Sequence, residues 1–166
     1  STVAYWDFEN ITDGVVPDVS GNGHNGNIGG TVDSVKGKLG KGVNFSEYTD
    51  YISVPHSTDF NFAATDSYTI SLWVKPDVIN EQQCVINKGR QNSNGNYTGL
   101  WVQHNSLLFS SGYEKQGSTT TYYDVRKTIT VADVWYHVVM VQDASLGKSI
   151  LYVNGELAAE KAYTRA

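Results

Sequence analysis

From Tyr97 to Gln103 the chain reads YTGLWVQ. Successive side chains of an extended strand point to opposite sides, so placing Leu100 and Val102 in a core leaves Tyr97, Gly99, Trp101 and Gln103 on the other face. Flat rings beside planar polar groups suit a sugar, whose apolar face stacks on an aromatic ring while its hydroxyls bond to amides and charges. Trp101 is the centre of this reading. Lys88 and Arg90, in INKGR, end the preceding run and supply donors for hydroxyls or carboxylates. His104, Tyr113, Tyr122 and Tyr123 reach the same surface if their loops fold toward it. The alternative is structural: Trp101 covered by a neighbouring loop, and Lys88 and Arg90 merely solvated.

Other chemistries find less to work with. Glycosidic cleavage needs two carboxyls at a defined separation, whereas Glu81, Glu114, Glu156 and Glu160 are solitary. Cys84 is the single cysteine, which excludes an intrachain disulfide and any zinc site built on several thiolates. Its expected role is a small buried hydrophobe. His24 and His56 fall in loops, His137 sits beside Trp135 in a strand, and no histidine spacing suits zinc. The three Asn-x-Ser/Thr sequons, at Asn10, Asn44 and Asn96, matter only in a host that glycosylates asparagine.

The elements that must position these residues are strands. Sixteen glycines and eleven tyrosines against one methionine predict short strands and tight turns, hence an all-β, two-sheet antiparallel β-sandwich in one domain over residues 1–166. Predicted strands are Val3 to Phe8, Val43 to Phe45, Tyr51 to Val54, Tyr68 to Lys75, Cys84 to Lys88, Tyr97 to Gln103, Ser106 to Ser110, Trp135 to Gln142, Ser149 to Val153 and Leu157 to Lys161. His104-Asn105 and Asn154-Gly155 are expected hairpin turns, and Gly112 to Thr121 a polar loop. The expected core is Trp6, Phe8, Phe45, Ile70, Leu72, Leu100, Val102, Val139 and Leu151, with Trp73 and Trp135 as packing residues.

Several longer phrases carry a family likeness. They are YTISLWVKP at Tyr68 to Pro76 and WYHVVMVQDASLGKSILYVNGEL at Trp135 to Leu157. AYWDFEN at Ala4 to Asn10, DVSGNGHNG at Asp18 to Gly26 and GKLGKGVNFS at Gly37 to Ser46 precede them in order. Together they resemble the laminin G-like group of the concanavalin A-like lectin/glucanase superfamily over nearly the whole chain. The resemblance implies a jelly-roll sandwich, with the Trp101 face as its concave sheet. It implies a carbohydrate-binding or adhesion module more than an enzyme, and it specifies fold more firmly than function. Hydrolases and lyases of this fold carry a Glu-x-Asp-x-x-Glu run, or arginine-rich and Gln-Ile/Val-His strands, and this chain has neither; YEKQG at Tyr113 to Gly117 is the nearest fragment. The resemblance also implies one structural calcium, to which Glu9, Asp18 and Asn22 are the matching contributors; the usual final-strand Asp has no counterpart here. Without a metal, Asp18 is a turn-capping side chain.

The expected function is therefore a non-catalytic carbohydrate-binding module of a secreted, bacterial polysaccharide-processing protein, with a polysaccharide or oligosaccharide as partner. The alternative is an adhesion or protein-interaction domain. A net charge of -5 without a basic cluster argues against nucleic acid, and no apolar run approaches the roughly 20 residues of a membrane span. Relatives continue past the YVNGEL hairpin, so the chain is also expected to be a mature or excised segment lacking its usual C-terminal strands. In that case a second chain or a C-terminal segment completes the sandwich beside Val3 to Phe8.

Overall fold

A computed structural model of the chain describes residues 1–89, 97–116 and 118–163, with side chains at all of these except 113–116 and 120. The chain divides into two compact units, Ser1–Asn61 and Phe62–Ala166.

The N-terminal unit contains β1 (Val15–Val16), β2 (Gly26–Gly29), β3 (Val32–Lys36), β4 (Lys41–Phe45) and β5 (Tyr51–Ser53), then a 3-10 turn at Thr58–Phe60. Strands β1, β2 and β5 form one antiparallel sheet in the order β1-β2-β5, and β3 pairs with β4. Gly29 is required by close approach: the Tyr51 ring lies on the strand where a Cβ would stand, 2.1 Å from Tyr51 Cζ. The 3-10 turn is capped by Ser57 Oγ, which accepts from Asp59 N at 3.2 Å.

Val3 to Phe8 forms no strand, contrary to expectation. Its hydrogen bonds go to a loop: Tyr5 N donates to Asp18 Oδ1 at 2.9 Å, Val19 N donates to Tyr5 O at 2.8 Å, and Trp6 Nε1 donates to His24 O at 2.7 Å. Trp6 and Phe8 are half-buried, and Phe8 turns the backbone at a φ of 62°. The open strand edge that a completing chain was expected to cover is therefore not formed by these residues.

The C-terminal unit contains β6 (Tyr68–Val74), β7 (Gln83–Lys88), β8 (Thr98–Gln103), β9 (Ser106–Gln116), β10 (Thr119–Thr128), β11 (Tyr136–Asp143), β12 (Lys148–Val153) and β13 (Glu156–Ala162). These make two four-stranded antiparallel sheets, β10-β9-β8-β7 and β13-β12-β11-β6. Their facing sides form a β-sandwich core of Tyr68, Leu100, Val102, Leu107, Phe109, Val125, Ile129, Tyr136, Val138, Met140, Leu151 and Val153. Each fully buried side chain of this size stabilises the fold by about 1.5–3 kcal/mol relative to exposure. Tyr68 and Thr98 hydroxyls meet at 2.8 Å across the two sheets. Gln142, fully buried, is paired by donating to Ala63 O at 2.9 Å and Asp66 O at 2.6 Å.

Both expected hairpin turns are present. His104 and Asn105 have φ of 49° and 57°, Asn154 and Gly155 of 53° and 82°, the positive values a two-residue type I′ turn demands. Several core expectations need correction. In VVMV of β11 both phases are apolar, and pairing with β6 selects Val138 and Met140 for the core, turning Val139 to the other face. The same register puts Trp73 outward, 40% exposed, while Ile70 and Leu72 pack partly buried against the core. Phe45 is 49% exposed, and Cys84 is exposed rather than buried. The expected loop at Gly112 to Thr121 is mostly strand, because β9 and β10 extend as a long hairpin whose Tyr and Thr residues favour extended backbone.

Candidate functional site

The β10-β9-β8-β7 sheet has a second face, turned away from its core, and its register arranges side chains there in rows. One row holds Asp124 of β10, Ser110 of β9, Gly99 of β8 and Asn87 of β7; the next holds Arg126, Leu108, Trp101 and Cys84. Directly opposed residues share a face with their side chains about 5 Å apart, so each row acts as one strip of chemistry.

Trp101 lies on this face as the alternation predicts, but it is only 8% exposed. Its indole reaches along the strand over Gly99, where a Cβ would stand 2.4 Å from Cη2 and 2.7 Å from Cζ3. Only a residue without a side chain permits that pose. Tyr97, half-buried, stacks against the indole with ring centroids 5.3 Å apart and planes at 26°. The aromatic pair is thus one joined surface in which Trp101 is the covered member, not the open platform expected of it.

Beside the pair are two acceptors that the sequence reading missed. Ser110 Oγ and Asp124 Oδ1 are buried, and neither has a hydrogen-bond partner among the described residues. Regular alternation along β10 puts Asp124 and Arg126 on this side and Tyr123 and Val125 in the core, while the register shift is an extra residue in β9 between Ser110 and Tyr113. The Tyr97 phenol is pushed up to about 12, first by burial and then by the nearby Cys84, Asp124 and Tyr122, so it remains a neutral donor at ordinary pH. No signal in a single sequence marks Ser110 or Asp124, since polar residues on an outward strand face are common and only the register reveals the row.

The other expected binding residues disperse. Gln103 stays on the Trp101 face, half-buried, opposite Ser106, and Tyr122 is 37% exposed. Lys88 is turned to the opposite face: a bulge between Cys84 and Ile86 reverses the alternation, and Lys88 pairs with Thr98, whose hydroxyl points inward to Tyr68. Asn87 takes the place expected of Lys88, donating to Cys84 Sγ at 3.0 Å. Arg90 lies outside the described residues, as does the Tyr113 side chain.

The candidate calcium residues are committed to the protein. Asp18 Oδ1 accepts from Tyr5 N and Ser20 N, and Oδ2 from His24 N, all at 2.9 Å. Burial works to raise its pKa, but these donors together hold it well below the usual carboxylate range. Asn22 Nδ2 donates to Thr2 O at 2.9 Å and Val3 O at 2.8 Å, and Glu9 Oε1 accepts from Lys41 N at 2.7 Å. A cation would have to displace the N–H groups facing both Asp18 oxygens and Glu9 Oε1, so as placed these two residues do not fit a calcium cage. Among the described residues no three His, Cys, Asp or Glu side chains cluster to hold a metal.

On the outward face of the other sheet, Trp73 packs on His137 with ring centroids 4.8 Å apart, and Ser71 Oγ and His137 Nε2 are 3.0 Å apart.

The model of the concanavalin A-like lectin/glucanases superfamily, in its laminin G form, matches residues 46–166. The chain belongs to this superfamily. No curated protein matches it in sequence. Among solved structures, it is similar to the binding domain of Paraclostridial Mosquitocidal Protein 1, with TM-score 0.71 and 18% identity over 92% of this chain and 38% of that one. It is also similar to an S-layer domain-containing protein (residues 221–444) from Clostridium thermocellum, with TM-score 0.57 and 23% identity over 97% of this chain and 72% of that one. A third neighbour is botulinum neurotoxin type C, described as dependent for cell entry on two ganglioside molecules; here the TM-score is 0.68 and identity 15%, over 93% of this chain and 37% of that one. At such identities the likeness is one of fold, the jelly-roll β-sandwich. The chain spans under two fifths of the toxin chains' length.

Proposed function

We propose that this chain is a non-catalytic carbohydrate-binding module of an extracellular, bacterial polysaccharide-processing protein, and that its site is the Tyr97–Trp101 face of the β10-β9-β8-β7 sheet. The observation that carries the reading is the pair of buried, unmet polar atoms, Ser110 Oγ and Asp124 Oδ1, next to stacked aromatic rings. A sugar supplies what both halves of that site lack, an apolar ring face and donor hydroxyls. Superfamily membership supports the class of function, and the ganglioside dependence described for the type C toxin supports it by analogy alone.

A catalytic role has less support. Glycosidic cleavage requires a second carboxyl beside the first, and Glu160 is engaged with Lys148 at 2.9 Å on the surface. A second binding reading has an observation of its own: the exposed Trp73 against His137 gives the other sheet an aromatic contact suited to a protein partner. A glycan array probed with wild type, Asp124→Ala and Trp73→Ala separates the two. The carbohydrate reading expects wild-type binding that Asp124→Ala abolishes and Trp73→Ala spares. Binding lost only in Trp73→Ala, or no glycan bound, would count against it.

A further inference from the structure

We propose that the Ser110–Asp124 row makes this face selective for sugars that offer hydrogen-bond donors, neutral or amine-bearing, and that it rejects acidic glycans. The inference rests on the carbohydrate reading and adds the ligand's charge class to it.

Three observations converge. First, the unmet atoms are acceptors: Asp124 Oδ1 accepts only, and Ser110 Oγ both accepts and donates. A buried acceptor without a donor is costly, and a ligand O–H or N–H placed there recovers that penalty on binding. Second, no basic side chain among the described residues pairs with Asp124: the ion pairs are His24–Asp59 and Lys148–Glu160, and Arg126, the next residue of β10 on this face, is exposed. The basic residue that the alternation would have brought here, Lys88, is turned to the other face by the β7 bulge. A uronic or sialic carboxylate would meet an uncompensated like charge in a partly desolvated setting, where charge–charge interactions are stronger than in water. Third, apart from the exposed Arg126, the neighbouring groups are neutral. Tyr97 keeps its proton, Asn87 and Gln103 are amides, and Leu108 and Trp101 are apolar. The one guanidinium in these rows, Arg126, lies at the edge strand, exposed and without an ion pair to Asp124 among the described residues, so a bound carboxylate would meet it only in high-dielectric solvent.

Asp124 is half-buried with Oδ1 covered, so a ligand donor reaches that oxygen only as the neighbouring side chains of the face give way to it. An amine-bearing sugar gains a charge-assisted bond there, and a neutral sugar gains an ordinary one.

Isothermal titration of the full chain with glucosamine, cello- and galacturonic acid oligosaccharides tests this, using wild type, Asp124→Asn and Ser110→Ala. Wild type is expected to bind the glucosamine or cello-oligosaccharide at least about tenfold tighter than the galacturonate. Asp124→Asn keeps the shape and removes the charge, so it should fold with an unchanged Tm while the discrimination shrinks several-fold. Galacturonate binding as tight as the others in wild type, or full discrimination surviving in Asp124→Asn, overturns the charge selectivity and leaves the carbohydrate reading standing. Binding of none of the three, together with a blank glycan array, overturns the carbohydrate reading itself and the selectivity with it.

Discussion

Asp18 and Asp124 are buried or half-buried aspartates set in opposite surroundings. Asp18 has three main-chain N–H groups on its two oxygens, each at 2.9 Å, and these tie Tyr5, Ser20 and His24 to one carboxylate. Asp124 stands in the middle of a strand, with one buried oxygen unmet among the described residues and an equally unmet Ser110 hydroxyl opposite it. Where every acceptor is filled by the protein's own donors, the side chain organises a loop and has nothing left for a ligand. Where acceptors have no partner from the protein at a surface-facing row, a bound molecule can supply the donor, which is the basis of the proposed site. The contrast sets a structural aspartate beside the one proposed to bind a ligand, without reference to sequence motif. Motif reasoning pointed to Asp18, because DVSGNG looks like a ligand loop and YYDV does not.

The largest effect should follow from breaking the filled side. Asp18→Ala orphans three N–H groups and should lower stability by about 2–4 kcal/mol, read by denaturant melts, while glycan affinity stays at wild type. The same residue sets a pH dependence. Its folded pKa is depressed, so its stabilisation is full above the unfolded value of about 4 and drains away as pH falls from there toward the lower folded value. The Tm gap between wild type and Asp18→Ala should therefore be widest near neutral pH and close on acidification.

A middle-sized effect tests how the aromatic half is built. Gly99→Ala places a methyl where the Trp101 indole lies, and the displacement should lower stability by about 1–3 kcal/mol and shift tryptophan fluorescence. An unaltered spectrum would mean the indole does not rest on Gly99. The smallest effect sharpens the contrast most. Ser110→Ala should change stability by no more than about 0.5 kcal/mol, or raise it, because the lost hydroxyl made no internal bond, yet it should weaken glycan binding. A clear loss of stability would show that the hydroxyl is satisfied in the folded protein.

Much of the fold was legible in the sequence. The turns at His104-Asn105 and Asn154-Gly155, and the strands around them, follow from residues that accept positive φ next to period-two runs. What stayed illegible were changes of phase. The bulge in β7 decides which face Lys88 occupies, and a one-residue insertion leaves no compositional mark. In β11 the run of apolar residues cannot choose between Val139 and its neighbours; the partner strand chooses. Val3 to Phe8 alternates like a strand, but its hydrogen bonds are taken by the Asp18 loop, a long-range partnership that local pattern does not encode. For the site, Tyr97, Trp101 and Gln103 were readable as one face of β8, while the two atoms that give the face its chemistry lie on β9 and β10.

The most direct test is an NMR titration of the isotope-labelled chain with a glucosamine oligosaccharide, following backbone amides residue by residue. The account predicts progressive shifts at Gly99, Trp101, Ser110 and Asp124, with Tyr5, Ser20, His24, Trp73 and His137 unmoved. Shifts centred on Trp73 and His137, or on the Asp18 loop, with the Ser110–Asp124 row silent, would contradict it.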